Sequence, residues 1–236
     1  SVVGICAGTL GLANYGMNQS VRLHRYITYS VLHRYLPPDL VKRAAAGELR
    51  LDAPPERRTL TVMFTDVVGF TPLTERLGPE AIGRLLDAYL GEIADVAHRH
   101  GATVDKFIGD CVMVIFGAPA QMSPEEQARR CVALAREIHE RVRALEMEHP
   151  LQARTGINTG DAVVGNFGSH ARSDYTALGP AVNIAARLES ASSPDRILLG
   201  PETARLLGDA SHLEPAGDLN LKGVTEPVPA FFVRLD

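Results

Sequence analysis

The chain has 236 residues, 45% of them hydrophobic, and a formal net charge of −4. That is enough apolar material for one packed domain plus an extension, and the charge offers no basic face for a nucleic acid. Three scattered cysteines, Cys6, Cys111 and Cys131, form no C-x-x-C pair; they argue against a disulfide framework or a zinc site, suit a reducing compartment and read as small packing residues.

The first segment, Val2 to Ala13 (VVGICAGTLGLA), is uncharged and apolar but shorter than the ~20 residues a bilayer span needs. Because the chain begins at Ser1, the run reads as the last turns of a membrane helix whose start lies upstream. Arg22, His24 and Arg25 then form a cytoplasmic flank; a short buried helix or stub is the alternative. Met17 to Leu36 reads as a helix, with Leu23, Ile27, Val31 and Tyr35 making one stripe, and Pro37-Pro38 ends it. Asp39 to Ala46 reads as a second helix and Asp52 to Arg57 as a linker. The expected organisation is therefore an apolar stub (1–14), a helical segment and linker (15–56), and a folded domain (57–236).

Within that domain the apolar, β-branched run Thr59 to Thr65 predicts a strand, and Pro79 to Arg99 a helix with Ile82, Leu85, Leu86, Tyr89 and Ile93 on one side. Thr103 to Ile108 and Val112 to Phe116 predict a hairpin about Gly109-Asp110-Cys111. Ser123, with Glu126 completing a capping box, starts a helix to about Glu146. Ala153 to Asn158 and Ala162 to Phe167 read as a second hairpin about Gly160-Asp161, and Pro180 to Ala191 as a helix. The order is that of an α+β, ferredoxin-like split βαββαβ fold, with an antiparallel-rich sheet and helices on one face.

Three segments carry chemistry. In Phe64-Thr65-Asp66-Val67-Val68-Gly69-Phe70-Thr71 an apolar strand ends in a carboxylate. Gly69 and Phe70 then lead into a helix whose N–H groups can approach a phosphate. In Asp105-Lys106-Phe107-Ile108-Gly109-Asp110 a second carboxylate stands at the hairpin tip. Taken singly, Asp66 is a helix cap and Asp110 a turn residue. Brought together on neighbouring strands they would repel, a conflict that two Mg²⁺ or Mn²⁺ ions bridging a substrate phosphate resolve. The third segment is TALGPAVNIAARLE, Thr176 to Glu189; its Asn183 and Arg187, four apart, project from one helix face.

In this order and spacing, FTDVVGFT, DKFIGD and TALGPAVNIAARLE resemble the class III nucleotidyl cyclases, specifically adenylyl cyclases, over Arg57 to Asp236. The resemblance implies conversion of ATP to cyclic AMP and pyrophosphate, with Asp66 and Asp110 as metal aspartates and the Val67 carbonyl as an extra ligand. It implies Lys106 and Thr176 as adenine readers, Asn183 as the ribose-orienting group and Arg187 as the group that stabilises the transition state. Lys222 matches a polyphosphate lysine and Arg172, loosely, a phosphate arginine. It further implies a homodimer with composite sites, and the Thr176 subgroup together with GAPAQMSPEEQ (117–127) implies a bicarbonate activator. The 15–56 helices resemble signal-transmitting segments below a membrane or sensor module, so the catalytic domain is expected in the cytoplasm and the full-length protein at the inner membrane. The rival readings are a cyclase-like regulatory dimerisation module and a guanylyl cyclase. A diguanylate cyclase or polymerase palm shares the metal logic but lacks the Asn183/Arg187 helix.

Overall fold

In the computed structural model, residues 54–145, 151–169 and 172–234 are described. The apolar run, both N-terminal helices, Cys6 and the first part of the linker lie outside them. Among the described residues no helix is long and apolar enough to cross a membrane.

Strand β1 (Glu56–Val67) organises the domain. It pairs antiparallel with β3 (Cys111–Phe116) on one side and β4 (Ala153–Ser169) on the other, and β3 pairs with β2 (Thr103–Ile108). The order β2-β3-β1-β4 is that of the split βαβ plan, and the sheet continues through β6 (Ile197–Leu199), β8 (Val228–Val233) and β7 (Leu213–Leu219). An eighth strand, β5 (Arg172–Leu178), pairs with the far half of β4.

Five α-helices accompany the sheet among the described residues: α1 (Phe70–Leu77), α2 (Pro79–Arg99), α3 (Pro124–Ala144), α4 (Pro180–Ala191) and α5 (Pro201–Leu207). They do not all lie on one face. Met63 and Val67 of β1 pack with Leu85, Tyr89 and Ile93 of α2 and Leu134 and Ile138 of α3, whereas Leu60, Val62 and Phe64 pack with Ala185 of α4. Since alternate residues of a strand point to opposite faces, the unbroken apolar run of β1 needs cover on both. Helix α4 comes down directly on β4: a Cβ at Gly156 would lie 2.0 Å from the Glu189 backbone nitrogen and 2.5 Å from the Ala185 carbonyl. Only glycine permits that approach.

Two local expectations are corrected. Gly160-Asp161 is no hairpin turn, because β4 runs straight through it, opposite Leu60 and Thr59 of β1. Asp161 is occupied by Arg57 and Thr59 across the ladder, which satisfies its carboxylate without a turn. The capping box is half made. Ser123 Oγ accepts from the Glu126 N–H at 3.3 Å, while the Glu126 carboxylate turns to Arg129 and Arg130. The segment Gly117 to Gln127 is bound to the first half of β1: Gln127 accepts from the Thr61 N–H and donates to the Thr59 carbonyl, and also to the Met122 carbonyl of the segment itself.

A buried polar chain crosses the core beside β1. Thr65 Oγ1 donates to the Arg154 carbonyl and accepts from Thr155 Oγ1, which leaves Thr155 to accept from His139 Nε2–H at 2.8 Å. His139 is 1% exposed and its Nδ1 has no hydrogen-bond partner among the described residues. Burial pushes the ring down to about 4, against a small pull from Asp195. The folded state therefore binds this proton less readily than the unfolded chain, so the stabilisation is complete above pH 6.5 and drains away as pH falls towards 4. Between pH 7.5 and pH 5 the wild type should lose roughly 2 kcal/mol through this residue. Urea unfolding of His139→Gln at the two pH values should show a smaller loss; an identical loss would remove His139 from the account.

Candidate active site

The β1–β3 register sets Thr65 against Val112, so the end of β1 meets the β2–β3 turn. That turn is tight. Ile108 pairs with Cys111, and Gly109 adopts φ +67°, a conformation that glycine takes without a Cβ penalty. Asp110 is thereby held over the end of β1, where its Oδ2 accepts from the Val67 N–H at 3.2 Å. Burial pushes the Asp110 carboxyl up, two backbone N–H groups pull it down, and Asp66 pushes it up again. The two aspartates are therefore brought together as expected.

Asp66 has a partner that the motifs did not reveal. Arg154 stands opposite it in the β1–β4 register and grips both carboxylate oxygens, Nε and one terminal nitrogen each at 2.9 Å. Glu189 of α4 reaches the same guanidinium, with Oε1 2.8 Å from Nε. The single Nε hydrogen is aimed at Asp66, so this Glu189 oxygen is buried beside the charge without a hydrogen bond of its own. Burial first, then the Asp66 charge, push Glu189 up, while the Asp66 hydrogen bonds push Arg154 up. Two carboxylates thus contact one guanidinium, with Asp110 within its electrostatic reach, so acids outnumber bases in the cluster. Nearby, burial first, then Asp110 and Asp66, push up the hydroxyl of the fully buried Tyr89, while Thr65 pulls it down.

This donor set suits a hard divalent cation. Mg²⁺ is usually held by one or two carboxylates with the rest of its shell from water and substrate phosphate, so no third acidic ligand is needed. Among the described residues no group of three His, Cys, Asp or Glu side chains is placed to hold a metal ion. Asp66 and Asp110 are the two that converge. Gly69 caps α1 in the left-handed region at φ +72°, with its carbonyl accepting from the Leu73 N–H, and Phe70 opens the helix.

A second cluster lies between β2 and β5. Thr176 donates its hydroxyl hydrogen to Asp105 Oδ2 at 2.6 Å, and the Ala177 N–H reaches the same oxygen at 3.4 Å. Lys106 Nζ lies 3.6 Å from the other oxygen. Lys106 and Thr176, far apart in sequence, thus meet at one buried carboxylate.

Asn183 and Arg187 are exposed on α4 and have no hydrogen-bond or ion-pair partner among the described residues. Glu189, only two positions beyond Arg187, is turned inward to Arg154. Two residues correspond to roughly 200° around a helix, so Arg187 and Asn183 point away from Asp66 of their own chain. Lys222 is exposed in the loop between β7 and β8, and Arg172 is placed only as the first residue of β5. Of the cysteines, Cys131 is buried and Cys111 half-buried, with the Cys111 thiol pushed up to about 12 by burial and neighbouring carboxylates.

Sequence reading missed Arg154, Glu189 and Asp105. The first two could have been suspected from a charged residue inside an apolar strand and from an acid on the apolar side of α4. Asp105 was quoted within its motif but given no task.

Residues 53–234 match the family model described as the adenylate and guanylate cyclase catalytic domain. Adenylate cyclase 1 of Rhizobium meliloti is 31% identical over 195 residues, 80% of this chain and 29% of that protein. An uncharacterized protein of Mycobacterium tuberculosis is 40% identical over 164 residues, 69% of this chain and 28% of the relative. The chain thus spans less than a third of the length of these curated relatives. Among solved structures, the adenylyl cyclase CyaB from P. aeruginosa superposes with a TM-score of 0.74 at 40% identity, covering 78% of this chain and 97% of that one. The guanylyl cyclase Cya2 gives 0.71 at 35% identity, covering 77% and 94%. With a matching family model over most of its length and the same fold, this chain belongs to the adenylate and guanylate cyclase catalytic domain family.

Proposed function

We propose that this domain converts ATP to 3′,5′-cyclic AMP and pyrophosphate. The observation that carries the choice of base is the convergence of the Lys106 ammonium and the Thr176 hydroxyl on Asp105. Adenine offers an acceptor at N1 and a donor at N6, which a lysine that donates and a hydroxyl that accepts would match. Guanine, with a donor at N1 and an acceptor at O6, would mismatch both. The similarity to the guanylyl cyclase Cya2 keeps GTP as the second reading.

In the reaction the ribose 3′-oxygen attacks the α-phosphorus, its proton is lost, and the bond to the bridging oxygen of pyrophosphate breaks. Asp66 and Asp110, with the Val67 carbonyl, would hold Mg²⁺ or Mn²⁺. When bound, such ions supply a lowered pKa for the 3′-hydroxyl and charge neutralisation for the leaving phosphates. Arg154 adds a fixed cation beside Asp66, suited to a polyphosphate. Asn183 orients the ribose for in-line attack, and Arg187 meets the charge developing on the phosphoryl oxygens. Gly69 and Phe70 at the start of α1 present backbone N–H groups to phosphate, and Lys222 and Arg172 are further polyphosphate contacts.

The division of α4 into an inward Glu189 and an outward Arg187 supports a site shared across a homodimer. One subunit would supply Asp66 and Asp110, its partner Lys106, Thr176, Asn183 and Arg187. The 117–127 loop and Thr176 leave bicarbonate as a proposed activator, and the 15–56 segment as the proposed route by which a membrane or sensor module acts.

Three measurements test the reading. Product analysis with ATP and GTP, each with Mg²⁺ and Mn²⁺, should give cyclic AMP as the main product; mainly cyclic GMP would replace the reading with its rival. Asp110→Asn and Arg187→Ala should each lower turnover at least about a hundredfold, and mixing the two should recover at least roughly tenfold over either alone by rebuilding one site per heterodimer. Absence of recovery would mean sites confined to single chains. At fixed pH, bicarbonate should raise turnover relative to chloride; equal rates reject the activator.

A further inference from the structure

Asp105 sits where β2 departs from regular pairing. Thr103 and Val104 pair with Ile115 and Val114, but Lys106 pairs with Met113, so Asp105 is an extra residue, a β-bulge, with no opposite number on β3. Bulges re-aim side chains. Here the result is a carboxylate whose side chain is 1% exposed, buried against β5, with Oδ1 lacking a hydrogen bond among the described residues. A buried acid is costly unless it is paired, and this one is only partly so. Burial pushes it up, while the Thr176 hydroxyl, Lys106 and the Ala177 amide pull it back. Nothing in the packing of an apolar hairpin requires an acid there.

The 2.6 Å contact fixes more than a distance. A threonine hydroxyl has one hydrogen to give and lone pairs to receive. At Thr176 the hydrogen is committed to a carboxylate, a charge-assisted bond that a neutral competitor does not displace cheaply. The Ala177 N–H on the same oxygen keeps the carboxylate from turning away. What remains of the hydroxyl can only accept.

Resting on the adenylyl cyclase reading above, we propose that Asp105 is a positioning residue for base selection: it locks the Thr176 hydroxyl as an acceptor, so that the pocket takes an exocyclic amine at the purine 6-position and refuses a carbonyl there. Thr176 touches the base; Asp105 acts through it. The same carboxylate also steadies Lys106, an effect common to every purine with an N1 acceptor.

The test compares kcat/KM for ATP with that for purine ribonucleoside triphosphate, which keeps N1 but lacks the 6-amine. Dividing one by the other cancels fold damage and any effect through Lys106. In the wild-type chain the ratio should be about tenfold or more; a ratio near one in an enzyme that makes cyclic AMP overturns the proposal without any variant. Asp105→Asn and Asp105→Ala, checked for unchanged melting, should each lower the ratio about tenfold. Thr176→Val should lower it as far, and Asp105→Asn combined with Thr176→Val no further. Equal losses for both substrates in the Asp105 variants would reduce Asp105 to a structural role, and additive losses in the double variant would separate it from Thr176; either overturns the proposal. A wild type that cyclises GTP and leaves ATP untouched instead removes the adenylyl reading, and the proposal with it.

Discussion

The Asp66–Arg154 pair is the constraint on which the arrangement turns. A strand buried on both faces that ends in a carboxylate needs a counter-charge at its own level. The β1–β4 register supplies one by setting Arg154 opposite Asp66. The register is guarded below that point by threonines, with Thr61 facing Thr159 and Thr65 facing Thr155, each pair joined through its hydroxyls. A one-residue slip would turn those hydroxyls and the apolar residues between them to the wrong faces. The polar chain to His139 belongs to the same device, so the core and the site share one alignment.

Helix α4 is tied to that alignment through Gly156, which lets its backbone rest on β4, and through Glu189, which reaches the Arg154 guanidinium. The helix is thus seated by its inner face and leaves its outer face unclaimed. The chemistry is divided in the same way. Acidic groups gather at the end of β1, and Asn183 and Arg187 of α4 look outward; on the proposed reading, assembly rather than folding brings them together.

Much of this was legible in the sequence because the informative residues are local. FTDVVGFT and DKFIGD mark a strand end and a hairpin tip, and Pro180 to Ala191 was read as a helix with the bounds it has. Expectations failed where the deciding partner is remote. Gly160-Asp161 has turn composition, but Thr59 and Arg57, about a hundred positions earlier, hold it extended in the ladder. The helices were expected on one face from the element order alone, whereas the unbroken apolar run of β1 demands cover on both. Arg154 and Glu189 are locally conspicuous only as charges on apolar faces, and their pairing appears only when β4 and α4 converge on Asp66. Asp105 was hidden differently, since a bulge is a matter of pairing register and leaves no mark on composition.

Asn183 and Arg187 carry a consequence of their isolation. Exposed side chains with no hydrogen-bond or ion-pair partner among the described residues add little to holding the fold together, so the scaffold tolerates change at those two positions. On the proposed reading, exchanging them would keep the same sheet and helices while silencing the reaction. Asp66, Arg154 and Glu189 have no such freedom, because altering one strands the charge of the others. The molecule therefore separates a set of charges its fold depends on from a pair of side chains its fold does not.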